Sequence, residues 1–167
     1  CVMKFTGAVL LWTAFTLAGM KMSLLLKERV AVLEETVIFL NSLIAEIQFS
    51  KSGIPRILNM FSSADSMKSL MFLNCFSETG EHSDFRRIWK ESISSFSYYK
   101  SEEKEKMLQL GSFLGTTDTD SQISTIKLYL SYFVGYRDKA IEDYAKNGKM
   151  SSLLGLFIGA SVFILLI

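Results

Sequence analysis

The sequence predicts an all-α protein: a six-helix antiparallel bundle flanked by N- and C-terminal transmembrane helices. Three observations predict it. A single proline occurs in 167 residues. Period-two alternation of apolar and polar side chains is almost absent, and apolar residues instead recur at steps of three and four. Two apolar tracts, residues 5–20 and 153–167, lie at opposite ends, and every charged residue except Lys4 falls between them.

Crossing about 30 Å of hydrocarbon takes about 20 helical residues at about 1.5 Å each. The first tract reaches that length at Leu26 if Lys21 buries its stem and lifts its ammonium to the headgroups; the second, starting at Met150, has 18 residues, above the about 17 that thin or adapted bilayers tolerate. The expected organisation is an N-terminal span over 5–26, a helical body over 27–149 and a C-terminal span over 150–167. Because an amphipathic helix follows directly, the first tract reads as a retained anchor rather than a cleaved leader. Gly155 and Gly159 have the spacing that lets helices approach closely in lipid. Lys21, Lys27 and Arg29 follow the first tract and Lys139, Lys146 and Lys149 precede the second, against Lys4 alone outside, so the basic flanks predict a cytosolic body.

Within the body, Leu26, Val30, Leu33, Val37, Leu40, Ile44 and Ile47 form the stripe of a first helix ending near Phe49, continuous with the first tract as one rod. Gly53 is expected to close the turn in the left-handed region, with Pro55 opening a short second helix that carries Ile57, Leu58 and Phe61. A third helix is expected over 67–78, capped by Asp65 or Ser66. The fourth, capped by Ser83 or Asp84, buries Phe85, Ile88, Trp89, Ile93 and Phe96. The fifth starts at Ser101 and runs through Met107, Leu108, Leu110 and Phe113 to Gly115. The sixth, capped by Thr117 or Asp118, carries Ile123, Ile126, Leu130, Phe133, Arg137, Ala140 and Tyr144. Asn147–Gly148 interrupts it before the final tract.

Between the two tracts lie 17 of the 18 basic residues and all 17 acidic ones, so that stretch is formally neutral and supplies no field for a phosphate backbone; nucleic acid is not an expected partner. Glu34–Glu35 and Glu102–Glu103 read as solvated helical faces. The two cysteines cannot build a disulfide framework, and Cys75, in an apolar run, reads as a small buried residue. His82, the one histidine, reads as a turn residue without metal partners. No phosphate-binding glycine loop, HExxH, CxxC or GxSxG occurs, and Asp118, Asp120 and Gln122 lack the glycine and terminal glutamate of a calcium loop. No catalytic, cofactor-binding or metal site is predicted, no cofactor is implied, and the chain is not expected to be an enzyme. Two short spans lined by apolar and small residues offer no conducting path. Protein contact remains: Tyr98, Tyr99, Tyr129, Tyr132 and Tyr136 lie off the cleanest stripes, where they either widen the core or face a partner.

The anchor KFTGAVLLWTAFTLAGM, the helix carrying Leu33, Glu34, Leu40, Leu43, Ile44, Glu46 and Ile47, and the Gly53–Ile54–Pro55 turn resemble the stage III sporulation protein AB family. So do the run from Leu114 through Gly115 and Asp118 to Gln122 and the tail with Leu154, Gly155 and Gly159. The resemblance covers essentially the whole chain. It implies a cytosolic six-helix body similar to the cytoplasmic domains of type II secretion and type IV pilus platform proteins. It also implies a non-catalytic scaffold role in the mother cell–forespore channel, in the outer forespore membrane on the mother-cell side. The implied partners are a secretion-type cytosolic ATPase of the same operon, other membrane subunits of the channel complex, and lipid, with homo-oligomerisation left open. The alternatives are a generic two-span adaptor for another protein partner, or a pore or transport subunit.

Overall fold

The computed structural model describes residues 2–50, 52–77, 84–115, 118–148, 150, 153, 157 and 161, without the side chains of 2–6, 8–12 and 15. Cys1, His82, Ser83, Thr117, Gly155 and Gly159 lie outside the described residues. Among those described, every regular element is helical. These are α1 (Val2–Phe49), α2 (Ile54–Ser62), 3-10 turns at Asp65–Met67 and Met71–Phe76, α3 (Phe85–Ser95), α4 (Ser101–Phe113), α5 (Thr119–Asp143) and a π-helical turn at Tyr144–Gly148. The chain divides into two compact units, 31–137 and the pairing of 1–30 with 138–167.

In the unit 31–137, α1 buries Val32, Leu33, Thr36, Val37, Phe39, Leu40 and Leu43. The expected stripe is there, widened by a second line at 32, 36, 39 and 43. Phe39 is the reason for the width: its ring meets Phe61 of α2 at 5.8 Å, Phe72 at 6.0 Å and Trp89 of α3 at 6.4 Å, so elements pack on more than one side of it. Edge-to-face arrangements such as Phe39–Phe61 and Phe39–Phe72, at 81° and 89°, are the favoured aromatic geometry.

Two local expectations are corrected here. Gly53 is extended, at φ −66° and ψ 154°, and caps α2 with its carbonyl by accepting from Arg56 N–H and Ile57 N–H. No left-handed residue is needed because the chain enters α2 from an extended approach. The helix expected over 67–78 is replaced by two 3-10 turns. Glu35 of α1 causes the break: its carboxylate accepts the Ser69 N–H at 2.6 Å and the Ser69 hydroxyl at 2.7 Å, which removes that amide from any helical ladder. Past it, Leu70, Leu73 and Phe76 are buried at the three-residue period of a 3-10 turn, and Cys75 is turned outward as an exposed free thiol rather than a core residue.

Asp84 caps α3 by accepting from Arg87 N–H at 3.4 Å. At the head of α4 the cap position is Lys100, whose side chain can accept nothing. Glu103 Oε2 accepts the Lys100 N–H at 2.8 Å instead, and this ties Glu103 down at 2 % exposure. The solvated-face reading therefore holds for Glu34 and Glu102, and fails for Glu103 and the half-buried Glu35. α4 ends at Gly115, whose φ of 73° is left-handed. Asp118 caps α5 by accepting from Ser121 N–H at 3.0 Å, and the same bonds lower its pKa.

In the other unit, α1 leaves Leu17, Met20, Met22, Leu24 and Leu25 half or more exposed, while Thr16, Gly19, Ser23, Leu26 and Val30 are half-covered at steps of three and four. The π-helical turn falls where Asn147–Gly148 was expected to break regularity. Gly148 is buried there, and an added Cβ would lie 2.8 Å from the Tyr144 ring and 3.7 Å from Ser23 Oγ. Met150, Leu153, Phe157 and Ser161 are helical and exposed. Among the described residues no helix is long and apolar enough to cross a membrane.

Candidate partner-binding surface

The tyrosines singled out in the sequence divide between core and surface. Tyr99 is 5 % exposed, and its hydroxyl shares a 2.7 Å hydrogen bond with Thr36 Oγ1, which also donates to Val32 C=O. Burial drives its pKa well up, and the nearby Glu103 adds to this, against the opposing Thr36 bond. Its ring is enclosed by Phe72, Phe96 and Phe133. Tyr99 is a core residue whose polar tip is satisfied.

Tyr129, Tyr132 and Tyr136 step along α5, and each finds a polar group on α4. Tyr129 Oη donates to Gln109 Oε1 at 3.5 Å, Lys106 Nζ sits 4.6 Å from the Tyr132 ring centroid, and Tyr136 Oη donates to Glu102 Oε1 at 2.7 Å. The numbers fall on one helix as they rise on the other, so α4 and α5 run antiparallel along this seam. Loss of solvent raises the Tyr136 pKa to about 12, helped by the Glu102 carboxylate that accepts its proton; loss of solvent also raises that of Tyr129. The tyrosine line is thus largely committed within the chain. Tyr98 and Tyr132, at 40 % and 39 % exposure, are the members that keep free surface.

α3 and α4 are also antiparallel. Trp89 Nε1 donates to Met107 C=O at 2.8 Å, and Lys104 Nζ donates to Ser94 C=O at 2.9 Å. Gly111 permits this contact: a Cβ there would meet the Trp89 ring at 2.2 Å. The sequence signal for it was an isolated glycine inside an otherwise helical run, which often marks close packing. Glu35 and Thr36, polar residues beside the α1 stripe, are the other structural residues that the periodicity missed.

Among the described residues no group of His, Cys, Asp and Glu is arranged to hold a metal ion, and each buried side-chain polar atom has a hydrogen-bond partner. The described surface carries exposed apolar and aromatic side chains set among mixed charges. The sequence model of the stage III sporulation protein AB family matches residues 4–167. The chain belongs to the stage III sporulation protein AB family. One relative in the family, stage III sporulation protein AB of Bacillus subtilis (strain 168), is 29 % identical over 171 residues, covering 99 % of each chain. No solved structure matches significantly. Membership ties the chain to sporulation, and the family's description names no reaction.

Proposed function

We infer that the chain is a non-catalytic membrane scaffold subunit of the mother cell–forespore channel complex, and that its body recruits or couples to the complex's cytosolic secretion-type ATPase. The observation that carries this reading is family membership along the whole length, residues 4–167, by a chain whose charge-balanced helical body lies between two apolar tracts. The tracts act as anchors, and the lysines beside them hold the body on the cytosolic face. Such a body presents surface to a partner while its own aromatic core keeps that surface in shape.

The test is capture of the full chain, in detergent, by the purified ATPase, with circular dichroism as the fold control. Wild type is retained. Replacing Leu130 and Phe133 together by Asp unfolds the bundle, since Phe133 is fully buried, and abolishes retention. Equal retention of the unfolded variant contradicts the scaffold role, and cleavage of a tag inserted in the body by protease added outside intact protoplasts contradicts the cytosolic placement.

A further inference from the structure

Between α3 and α4 lies a hollow of about 220 Å³ lined by Arg86, Trp89, Lys90, Leu108, Gly111 and Ser112. Gly111 gives it depth, because any side chain at that position would run into the indole beneath. Arg86 and Lys90, one helical turn apart, are both exposed, and neither has an ion-pair partner among the described residues. Arg87 between them is already held by Glu91 at 3.2 Å. Among the described residues no carboxylate lines this hollow. A second one, of about 600 Å³, shares Arg86 and continues the furrow to Phe85, Leu114 and Ile54; among the described residues its one carboxylate, Asp84, is engaged as the α3 cap.

An apolar floor flanked by two unpaired cations is complementary to an apolar side chain flanked by carboxylates. Two cations on a body without net positive charge are too few to hold a nucleic-acid backbone. A lipid headgroup meets the cations but leaves the floor uncovered, because its acyl chains stay in the bilayer. We propose that this furrow docks an acidic segment of a protein partner, with an apolar side chain seated over Gly111 and its flanking carboxylates on Arg86 and Lys90. The proposal deepens the scaffold reading and rests on it only in taking the partner to be a protein.

The full chain in phosphatidylcholine nanodiscs is titrated with a fluorescein-labelled peptide of Glu-Ala-Leu-Glu repeats, and fluorescence anisotropy is read. The peptide binds wild type, and Arg86→Glu with Lys90→Glu weakens binding by about tenfold or more with unchanged circular dichroism. Ser112→Trp, which fills the hollow and leaves both cations, weakens binding too. Arg87→Glu, off the furrow, leaves it unchanged. Three outcomes overturn the proposal: equal binding of the Lys-Ala-Leu-Lys counterpart, indifference to the double charge reversal, or charge-dependent binding to phosphatidylglycerol vesicles without binding to the peptide. ATPase capture that survives the double reversal removes this furrow as the docking site and leaves the scaffold role standing.

Discussion

The two halves of α1 are one unbroken helix of similar apolar content, and they meet opposite fates. Leu17, Met20, Met22, Leu24 and Leu25 are between 50 % and 65 % exposed, whereas Leu33, Phe39, Leu40 and Leu43 are at 0 %. The difference lies in patterning. From Glu34 onward, polar residues recur on one side at Glu34, Asn41 and Gln48 and leave the rest for a core. Before Lys21, apolar residues occupy the whole circumference, and no bundle of this size has enough neighbours to cover them. One helix therefore serves two solvents, protein interior in its second half and, on the proposed reading, lipid in its first.

The sharpest way to break this comparison is a matched truncation. Phe39→Ala removes a ring packed against three others and costs about 3–5 kcal/mol in urea unfolding of the full chain in detergent; Leu24→Ala in the same preparation stays within about 0.5 kcal/mol. Equal losses at the two sites would mean that both halves lie in one core. A second pair tests close packing within helices. Gly111→Ala drives a methyl into Trp89 and destabilises by about 1–3 kcal/mol, while Gly135→Ala, with nothing within 4 Å of the new Cβ, gains up to about 1 kcal/mol from helix propensity. A third pair concerns adjacent acids of α1. Glu35→Ala leaves the Ser69 amide without its acceptor and costs about 1–3 kcal/mol, against a change near zero for the exposed Glu34→Ala.

The smallest effect is titration. Tyr99 and Tyr136 have pKa values raised on folding, Tyr136 from 10.0 to about 12. The neutral phenol is the form that the fold favours, so its contribution is complete below pH 10 and lost as the pH rises through the folded values. Stability should be flat across neutral pH on this account and fall above about pH 10, more shallowly in Tyr99→Phe and slightly so in Tyr136→Phe. Denaturation midpoints measured from pH 7 to 11.5 check the sign.

Much of the helix order was legible from three- and four-residue steps. Ile88, Trp89, Ile93, Met107, Leu110, Ile126 and Phe133 all face inward as the spacing requires, and Asp84 and Asp118 are caps as their positions suggested. Three features were not legible, and two of them depend on a partner distant in sequence. Glu35 ends the expected third helix from 34 residues away. Thr36 meets Tyr99 across 63 residues. Glu103 looked like half of a solvated pair until its role as a back-bonding cap was seen. The tyrosine line was correctly placed on one helix, but which of its members face α4 could not be read until the antiparallel register was known.

The most direct test places spin labels along α1, with Cys1 and Cys75 replaced by Ser, in the full chain reconstituted into bilayers. Labels replacing Leu17, Met20, Leu24 and Leu25 should be relaxed by oxygen and shielded from a water-soluble nickel chelate on every face, while labels at Glu34, Ile38 and Asn41 should show the reverse. Chelate access at all of the first set, equal to that at Glu34, would contradict the claim that a single helix passes from lipid into a protein core.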